Sequence, residues 1–404
     1  MTSGKASVRT AIVGGGAAGF FLAVNLKEMV PEMEVTIFER SHRVLRKVEV
    51  SGGGRCNCTN SFHDIRDLSH AYPRGHRLLK RLFKGFDHRD AYEWFERRGV
   101  PLVTQDDECV FPAAQDSRAI IHCFLSLARS LHIKIRCDVA INELSQLEAY
   151  DNIAVTTGGS PRAEGLRWLL PTGIQTVQPV PSLFTLSIAD EPLRRLMGTV
   201  VPQATVMIPG TRMRASGTLL ITHWGMSGPA ILKLSSHAAR LLYDHNYRLP
   251  LAVNWCNSTH QEIEQTLQAL ADSHPQKQVA TLRPYHLPAR LWEHLSAKAL
   301  GDRAHARWSA LSQKEMHQLT NILGNDTYPI SGRAPFKDEF VTCGGVSLDS
   351  VDGNTLECKT RPRLYFAGEV LDIDGITGGF NFQAAWTTAY TVARAIAKKM
   401  KSEQ

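Results

Sequence analysis

Arg9-Thr10-Ala11-Ile12-Val13-Gly14-Gly15-Gly16-Ala17-Ala18-Gly19-Phe20 is the stretch that decides the fold. Residues 9–13 are a short apolar, β-favouring run, the glycines end it, and residues 20–29 continue with the composition of a helix. Strand, glycine turn and helix open a dinucleotide-binding βαβ unit, and Val35-Thr36-Ile37-Phe38 supplies the second strand. That strand ends in Glu39, 20 residues beyond Gly19. Gly14 permits the tight turn, Gly16 lets backbone approach a pyrophosphate, and Gly19 lets the helix pack closely on the strand. The helix N-terminus favours negative charge, while Glu39 can accept from a ribose and would repel a 2′-phosphate.

Outward from this unit, Ser51-Gly52-Gly53-Gly54-Arg55-Cys56-Asn57-Cys58-Thr59-Asn60 exposes backbone N–H groups beside one arginine, a loop suited to a closely held ligand. Cys56 and Cys58 lack the second close Cys or His pair that structural zinc needs, so no metal is expected. Residues 73–98 and 116–131 have helical periodicity, and residues 133–139 and 153–156 read as strands, the latter ending in Thr157-Gly158-Gly159. Gln178-Pro179-Val180-Pro181-Ser182 marks a domain crossing. Short β-favouring runs follow it, and leucine-rich helical periodicity then occupies residues 258–323, which gives two inserted subdomains.

Thr222-His223-Trp224-Gly225-Met226-Ser227-Gly228-Pro229-Ala230 has two readings: a helix start capped by Ser227, or an active-site wall carrying His223 and Trp224. Near the end, Leu364-Tyr365-Phe366-Ala367-Gly368-Glu369 repeats the pattern of strand into glycine. Gly378-Gly379-Phe380-Asn381-Phe382-Gln383 then opens a long helix running toward Lys399. Paired glycines at a helix N-terminus can aim N–H donors at a ring carbonyl, which on a flavin would stabilise the reduced pyrimidine edge.

Composition bounds the function. Of 404 residues, 43% are hydrophobic and 21% charged, which excludes a disordered chain. The net charge of +7 is mild, and the densest basic stretch, Arg74 to Arg89, is interleaved with Leu, Phe and Gly like a solvated helix face, so nucleic acid is not the expected partner. Eight cysteines are too few for a disulfide scaffold, and no secretory leader is legible. A cytoplasmic location is the expectation. Prolines at 171, 179 and 181 break the one long uncharged stretch, so no membrane span is expected.

Taken together, S-G-G-G-R-C-N (51–57), T-H-W-G-M-S-G-P-A (222–230), V-T-C-G-G-V (341–346) and A-G-E-V-L-D-I-D-G-I-T-G-G-F-N-F-Q (367–383) resemble the bacterial BaiN-like or YhiN-like flavoproteins, also labelled aminoacetone oxidase family FAD-binding enzymes. The resemblance runs from end to end in family order. It implies an α/β fold with a discontinuous Rossmann-like FAD-binding domain, residues 1–178 and 337–404. A β-rich inserted domain would take residues 179–257 and 326–336, and a helical subdomain residues 258–325. The implied FAD contacts are Gly14, Gly16 and Gly19 at the pyrophosphate, Glu39 at the adenosine ribose, and Gly53, Gly54, Arg55, Cys56 and Asn57 near the flavin, with Ala18, Arg40 and Val139 as further cofactor contacts. Thr157, Gly158, Gly368, Glu369, Gly379, Phe380 and Asn381 complete the set. One departure is the short connection between Val139 and Thr157, where relatives carry a longer β meander.

The expected activity is an FAD-dependent oxidoreductase acting on a small molecule, with NAD(P)H as a transient electron donor. Arg55, Asn57, His223 and Asn381 are the candidate catalytic residues, Arg55 for an anionic substrate group and His223 for proton exchange. The alternatives are an oxygen-using amine or aminoketone oxidase and a flavin-dependent RNA-modifying or RNA-binding protein.

Overall fold

The computed structural model describes residues 8–160, 162–334 and 341–402. The chain divides into two compact units, residues 1–180 with 341–404, and residues 181–340.

The first unit is built on five parallel strands: β1 (Arg9–Val13), β2 (Glu34–Phe38), β3 (Lys134–Arg136), β4 (Asn152–Val155) and β5 (Leu364–Phe366). Their order across the sheet is β5-β4-β1-β2-β3. In register, Ile12 stands opposite Ile37 on one side and Ala154 on the other. The central strands are buried along almost their whole length, which is why they read as continuous apolar runs and not as alternation.

Helix α1 (Ala17–Met29) is buried at every position from Ala18 to Leu26, and it packs on the C-terminal helix α2 (Phe380–Ser402). A helix apolar on all sides must be core. Phe21 stands 4.6 Å from the Trp94 ring and 5.1 Å from the Trp386 ring. The one polar side chain in the buried stretch, Asn25, donates to the Phe21 carbonyl at 2.7 Å and accepts from the Trp94 indole at 3.1 Å, so its desolvation is compensated. A small antiparallel sheet, Thr59–Asn60, Cys109–Pro112 and Leu102–Thr104, receives the chain leaving the glycine loop.

Two local expectations are corrected. The helical run 73–98 is two helices, His76–Leu82 and His88–Glu96. Asp87 starts the second by accepting from the Arg89 and Asp90 backbone, while the Asp90 carboxylate accepts from Asp87 N at 2.7 Å. Ser227 is not a helix cap: its hydroxyl bonds that of Thr185 at 2.8 Å, and Gly228 precedes the helix Pro229–His237 with no side-chain cap.

The second unit holds a closed six-stranded antiparallel barrel. Its strands, in spatial order, are Val200–Met207, Arg214–Ile221, Gly225–Ser227, Leu186–Ile188, Asp326–Arg333 and Pro250–Asn254. Helices His260–Ser273, Ala289–Leu300 and Gln313–Gly324 lie between the last two strands in sequence. Their Leu267, Leu291 and Leu319 share one core with barrel residues Leu219, Val253 and Tyr328. No helix among the described residues is long and apolar enough to cross a membrane.

Candidate active site

Five of the expected cofactor segments follow the carboxyl ends of the five parallel strands: Gly14–Gly16 after β1, Glu39–Arg40 after β2, Val139 after β3, Thr157–Gly158 after β4, and Gly368–Glu369 after β5. Ligands of open α/β sheets bind outside these ends, where connections diverge to opposite sides. Here β1 is flanked by β2 and β4, so the crevice lies at Gly14.

The three fingerprint glycines differ in what surrounds them. Gly14 has φ +116°, and a Cβ on it would lie 2.4 Å from the Thr156 carbonyl oxygen. A Cβ on Gly19 would lie 2.1 Å from the Gly14 carbonyl oxygen, so this glycine sets the approach of α1 to the strand. A Cβ on Gly16 would meet nothing within 4 Å. That open space adjoins the N-terminus of α1, which no side chain caps and which has no acidic residue in its first turn. Uncapped N–H groups beside open space fit an anion such as a pyrophosphate.

Glu39 is already engaged. Oε2 accepts from Gly15 N at 2.9 Å, and Oε1 accepts from Ser41 N at 2.9 Å and from its hydroxyl at 2.8 Å. Of roughly four acceptor positions on a carboxylate, about one is left for a ribose hydroxyl. Val139 N donates to the Glu39 carbonyl at 2.9 Å, which brings these two expected contacts together; Arg40 is exposed beside them.

In the glycine loop, Gly52, Gly53 and Gly54 all have positive φ, and the space around the last two is open. Arg55 Nε donates to the Gly52 carbonyl at 3.2 Å, its terminal nitrogen donates to Gln115 Oε1 at 3.2 Å, and the guanidinium lies 4.2 Å from the Phe111 ring centroid. No carboxylate pairs with it among the described residues. Arg55 is therefore a cation held in one place whose charge is not neutralised locally. Cys56 is buried beneath the loop, and burial pushes its thiol up to about 12, which keeps it protonated and inert at neutral pH.

Asn57 and Asn381 act on backbone. With its amide oriented by the surrounding carbonyls, Asn57 donates to Thr59 O at 2.9 Å and Val110 O at 3.3 Å and accepts from Gly379 N at 3.3 Å. Asn381 accepts from Gly375 N at 2.8 Å and donates to Gly375 O at 2.9 Å. Asn57 ties the start of α2 to the chain leaving the glycine loop, and Asn381 ties the first turn of α2 to the loop that precedes it. Gly379 must be glycine there, because a Cβ would lie 2.1 Å from the Thr59 carbonyl oxygen. Tyr72 reinforces the junction by donating to the buried Phe380 carbonyl at 2.8 Å.

Gly368 is buried and its N–H donates to Thr388 Oγ1 at 2.8 Å. Glu369 accepts from Thr342 N at 2.8 Å and from Lys47 Nζ at 3.0 Å. His223 belongs to the second unit, exposed in the turn between Arg214–Ile221 and Gly225–Ser227, 4.9 Å ring to ring from Trp224. Thr222 Oγ1 accepts from Trp224 N and Gly225 N, both at 3.2 Å, and shapes that turn.

Sequence reasoning missed Thr156, whose hydroxyl donates to the Val13 and Gly14 carbonyls, and the buried ion pair of Arg74 with Asp374. Asp374, two residues from Asp372 in an apolar loop, was a legible signal for a partner. Lys47, Phe111 and Gln115 carried no sequence signal, since only the fold brings them to Glu369 and Arg55.

A family model described as the HI0933-like protein Rossmann domain matches residues 8–395. The chain belongs to this HI0933-like family, the BaiN/YhiN-like flavoproteins. Among similar proteins, a 3-dehydro-bile acid delta(4,6)-reductase of Clostridium scindens is 25% identical over 97% of this chain and 99% of its own length. Ribosomal RNA dihydrouridine synthases of Haemophilus influenzae and Escherichia coli are 26% and 27% identical, over 96% and 95% of this chain and 98% and 96% of their own lengths. Among solved structures, a 3-ketosteroid delta1-dehydrogenase from Sterolibacterium denitrificans is similar with a TM-score of 0.47 at 11% identity, covering 96% of this chain and 99% of that one.

Proposed function

We propose that this HI0933-like protein is an FAD-dependent reductase that saturates a ring carbon–carbon double bond conjugated to a carbonyl, with NAD(P)H as electron donor. The observation that carries this reading is the set of strand ends around Gly16, with the uncapped N-terminus of α1 facing open space. The N–H groups at residues 16–18 would hold the pyrophosphate, Glu39 a ribose hydroxyl, and the loop of Gly53 and Gly54 would border the ring system. When bound, FAD supplies two-electron hydride chemistry.

The chain's own residues bind and orient. Arg55, held by Gly52, Gln115 and Phe111, offers a fixed guanidinium to a substrate carbonyl or anionic group and would polarise it. Asn57 and Asn381 are positioning residues that hold the start of α2, where N–H donors can favour negative charge. His223 is the proposed proton-exchanging group, at a ring nitrogen. Two relatives support the reaction class: one name specifies a delta(4,6)-reductase and the other a dihydrouridine synthase, and both products are saturated at a former ring double bond.

The test is the visible spectrum of the purified protein with FAD, followed anaerobically through addition of NADH, NADPH and, separately, aminoacetone. Bleaching of the flavin band by a nicotinamide, reversed by an enone or a uracil-containing substrate, is the expected result. Bleaching by aminoacetone alone would replace the reductase with an amine oxidase, and failure to take up FAD would overturn the flavin reading.

A further inference from the structure

We infer that Lys47 is a cofactor-retaining residue, whose side chain bars the crevice at the strand ends by pairing with Glu369 on the opposite wall. The inference deepens the proposed function and rests on its FAD reading. Lys47 lies in the helix Arg46–Gly54, which follows β2 in sequence, whereas Glu369 follows β5. Lys47 Nζ donates to Glu369 Oε2 at 3.0 Å. In the order β5-β4-β1-β2-β3, this link joins the two sides of the switch point beside β1. Every residue involved belongs to the first unit.

Both ends of the bar are anchored. Leu45 N donates to the Gly15 carbonyl at 2.8 Å, and a Cβ on Gly15 would lie 2.8 Å from Val44 Cγ1, so the chain entering Lys47 rests on the turn after β1. Leu45 is buried at φ +58°, a left-handed conformation that such a residue adopts only where packing holds it. Beyond Lys47, the Ser117 hydroxyl donates to the Glu49 carbonyl at 2.9 Å and Ser117 N donates to the Gly54 carbonyl at 2.8 Å. On the far wall, Glu369 Oε1 accepts from Thr342 N at 2.8 Å, and a Cβ on Gly159 would lie 2.6 Å from the same oxygen. The Gly158-Gly159 turn after β4 thus makes room for the carboxylate, and a Cβ on Gly158 would lie 3.8 Å from Oε2 and 4.0 Å from Lys47 Nζ. With backbone fixed on both walls, the part that can swing is the four-carbon lysine stem.

The pair is built to open. The Lys47 side chain is 60% exposed against 18% for Glu369, and an ion pair with one solvated partner contributes little to stability. It is poorly suited to holding the fold together and well suited to delaying a ligand that has to pass it. A direct role on the pyrophosphate fits less well, because the ammonium is already neutralised by a carboxylate.

The experiment follows FAD release from the full chain by recovery of flavin fluorescence after dilution. The variants are Lys47→Met, Glu369→Gln, the double K47M/E369Q, the conservative K47R and, as a charge control, R46M. K47M and E369Q are each expected to release FAD about three- to fivefold faster, the double variant no faster than either, and K47R and R46M at close to the wild-type rate. A second readout needs no FAD: acetylation of the Lys47 amine in the ligand-free chain, followed by mass spectrometry, should run faster in E369Q than in the wild type. Unchanged release in K47M or E369Q, effects that multiply in the double variant, or equal acetylation would overturn the bar. So would release from R46M as fast as from K47M, which would reduce the effect to net charge. Uptake of FAD by the wild type separates the two readings: no uptake refutes the flavin and the bar together, whereas uptake with release unchanged in the variants overturns the bar alone.

Discussion

A methyl group on Gly16 would meet no protein atom within 4 Å, whereas one on Gly19 would lie 2.1 Å from the Gly14 carbonyl oxygen and 2.9 Å from Thr156 Oγ1. The same substitution should therefore fail in two different ways. Gly16→Ala is expected to leave stability within about 0.5 kcal/mol of the wild type while weakening FAD about tenfold or more, because the added carbon occupies the space of the ligand. Gly19→Ala should cost about 1–3 kcal/mol in a denaturant titration, since α1 must lift from β1. Equal loss of stability in both would show that Gly16 is not at a ligand surface. The glycine roles were legible because they follow from backbone geometry alone. The roles of Asn57 and Asn381 were not: both amides are spent on backbone groups that only the packed chain brings near, at Thr59, Val110, Gly375 and Gly379.

Between elements, a buried ion pair joins Arg74, ahead of the helix His76–Leu82, to Asp374 in the loop leading to α2. Asp374 is fully buried and Arg74 Nε donates to it at 2.5 Å. Asp374→Asn keeps the shape and removes the counter-charge, and is expected to cost about 3–5 kcal/mol by denaturant midpoint, because it strands a largely buried guanidinium. In the second unit, the helix Gln313–Gly324 begins at Ser312, and Glu315 accepts from Arg303 Nε at 2.9 Å and from Ser312 N and its hydroxyl at 2.8 Å. The Arg303 hydrogen bond, with those from Ser312, holds this carboxyl at about 2, below its ordinary 4.5. A lowered carboxylate stabilises the fold above the unfolded value and loses that contribution as pH falls toward the folded value. Glu315→Gln should therefore lower Tm at neutral pH, with the gap to wild type closing between about 4.5 and 2; a gap constant with pH would contradict the charge effect. Ser312 and Glu315 spell a capping box in the sequence, as Asp87 and Asp90 do, and both helix starts could have been read from these pairs. What spacing could not give is the partner Arg303, which reaches Glu315 from the turn Gly301–His305.

At the scale of the whole chain, the parallel sheet was readable from the apolar runs at residues 9–13, 35–38, 153–156 and 364–366, three leading into glycine turns and 35–38 ending in Glu39, since a strand buried on both faces leaves an unbroken apolar trace. Closure of the barrel was not readable: it depends on Pro250–Asn254 pairing with Val200–Met207, a long-range match of short strands that local pattern does not encode. The two units have separate apolar cores, one around Phe21, Phe124 and Trp386, the other around Trp255, Trp292 and Tyr328. Cores that are closed separately should melt as separate cooperative transitions in scanning calorimetry. The proposed FAD contacts at the strand ends all belong to the first unit. FAD at about one hundred times its Kd should then stabilise that unit by about 2.7 kcal/mol and raise its transition, and leave the transition of the barrel unit near its original temperature. Glu315→Gln marks the barrel transition independently, because it acts on a helix whose core is shared with the barrel. If FAD raised the marked transition as far as the other, the second unit would be bearing part of the binding energy, and His223 would be the first residue there to substitute.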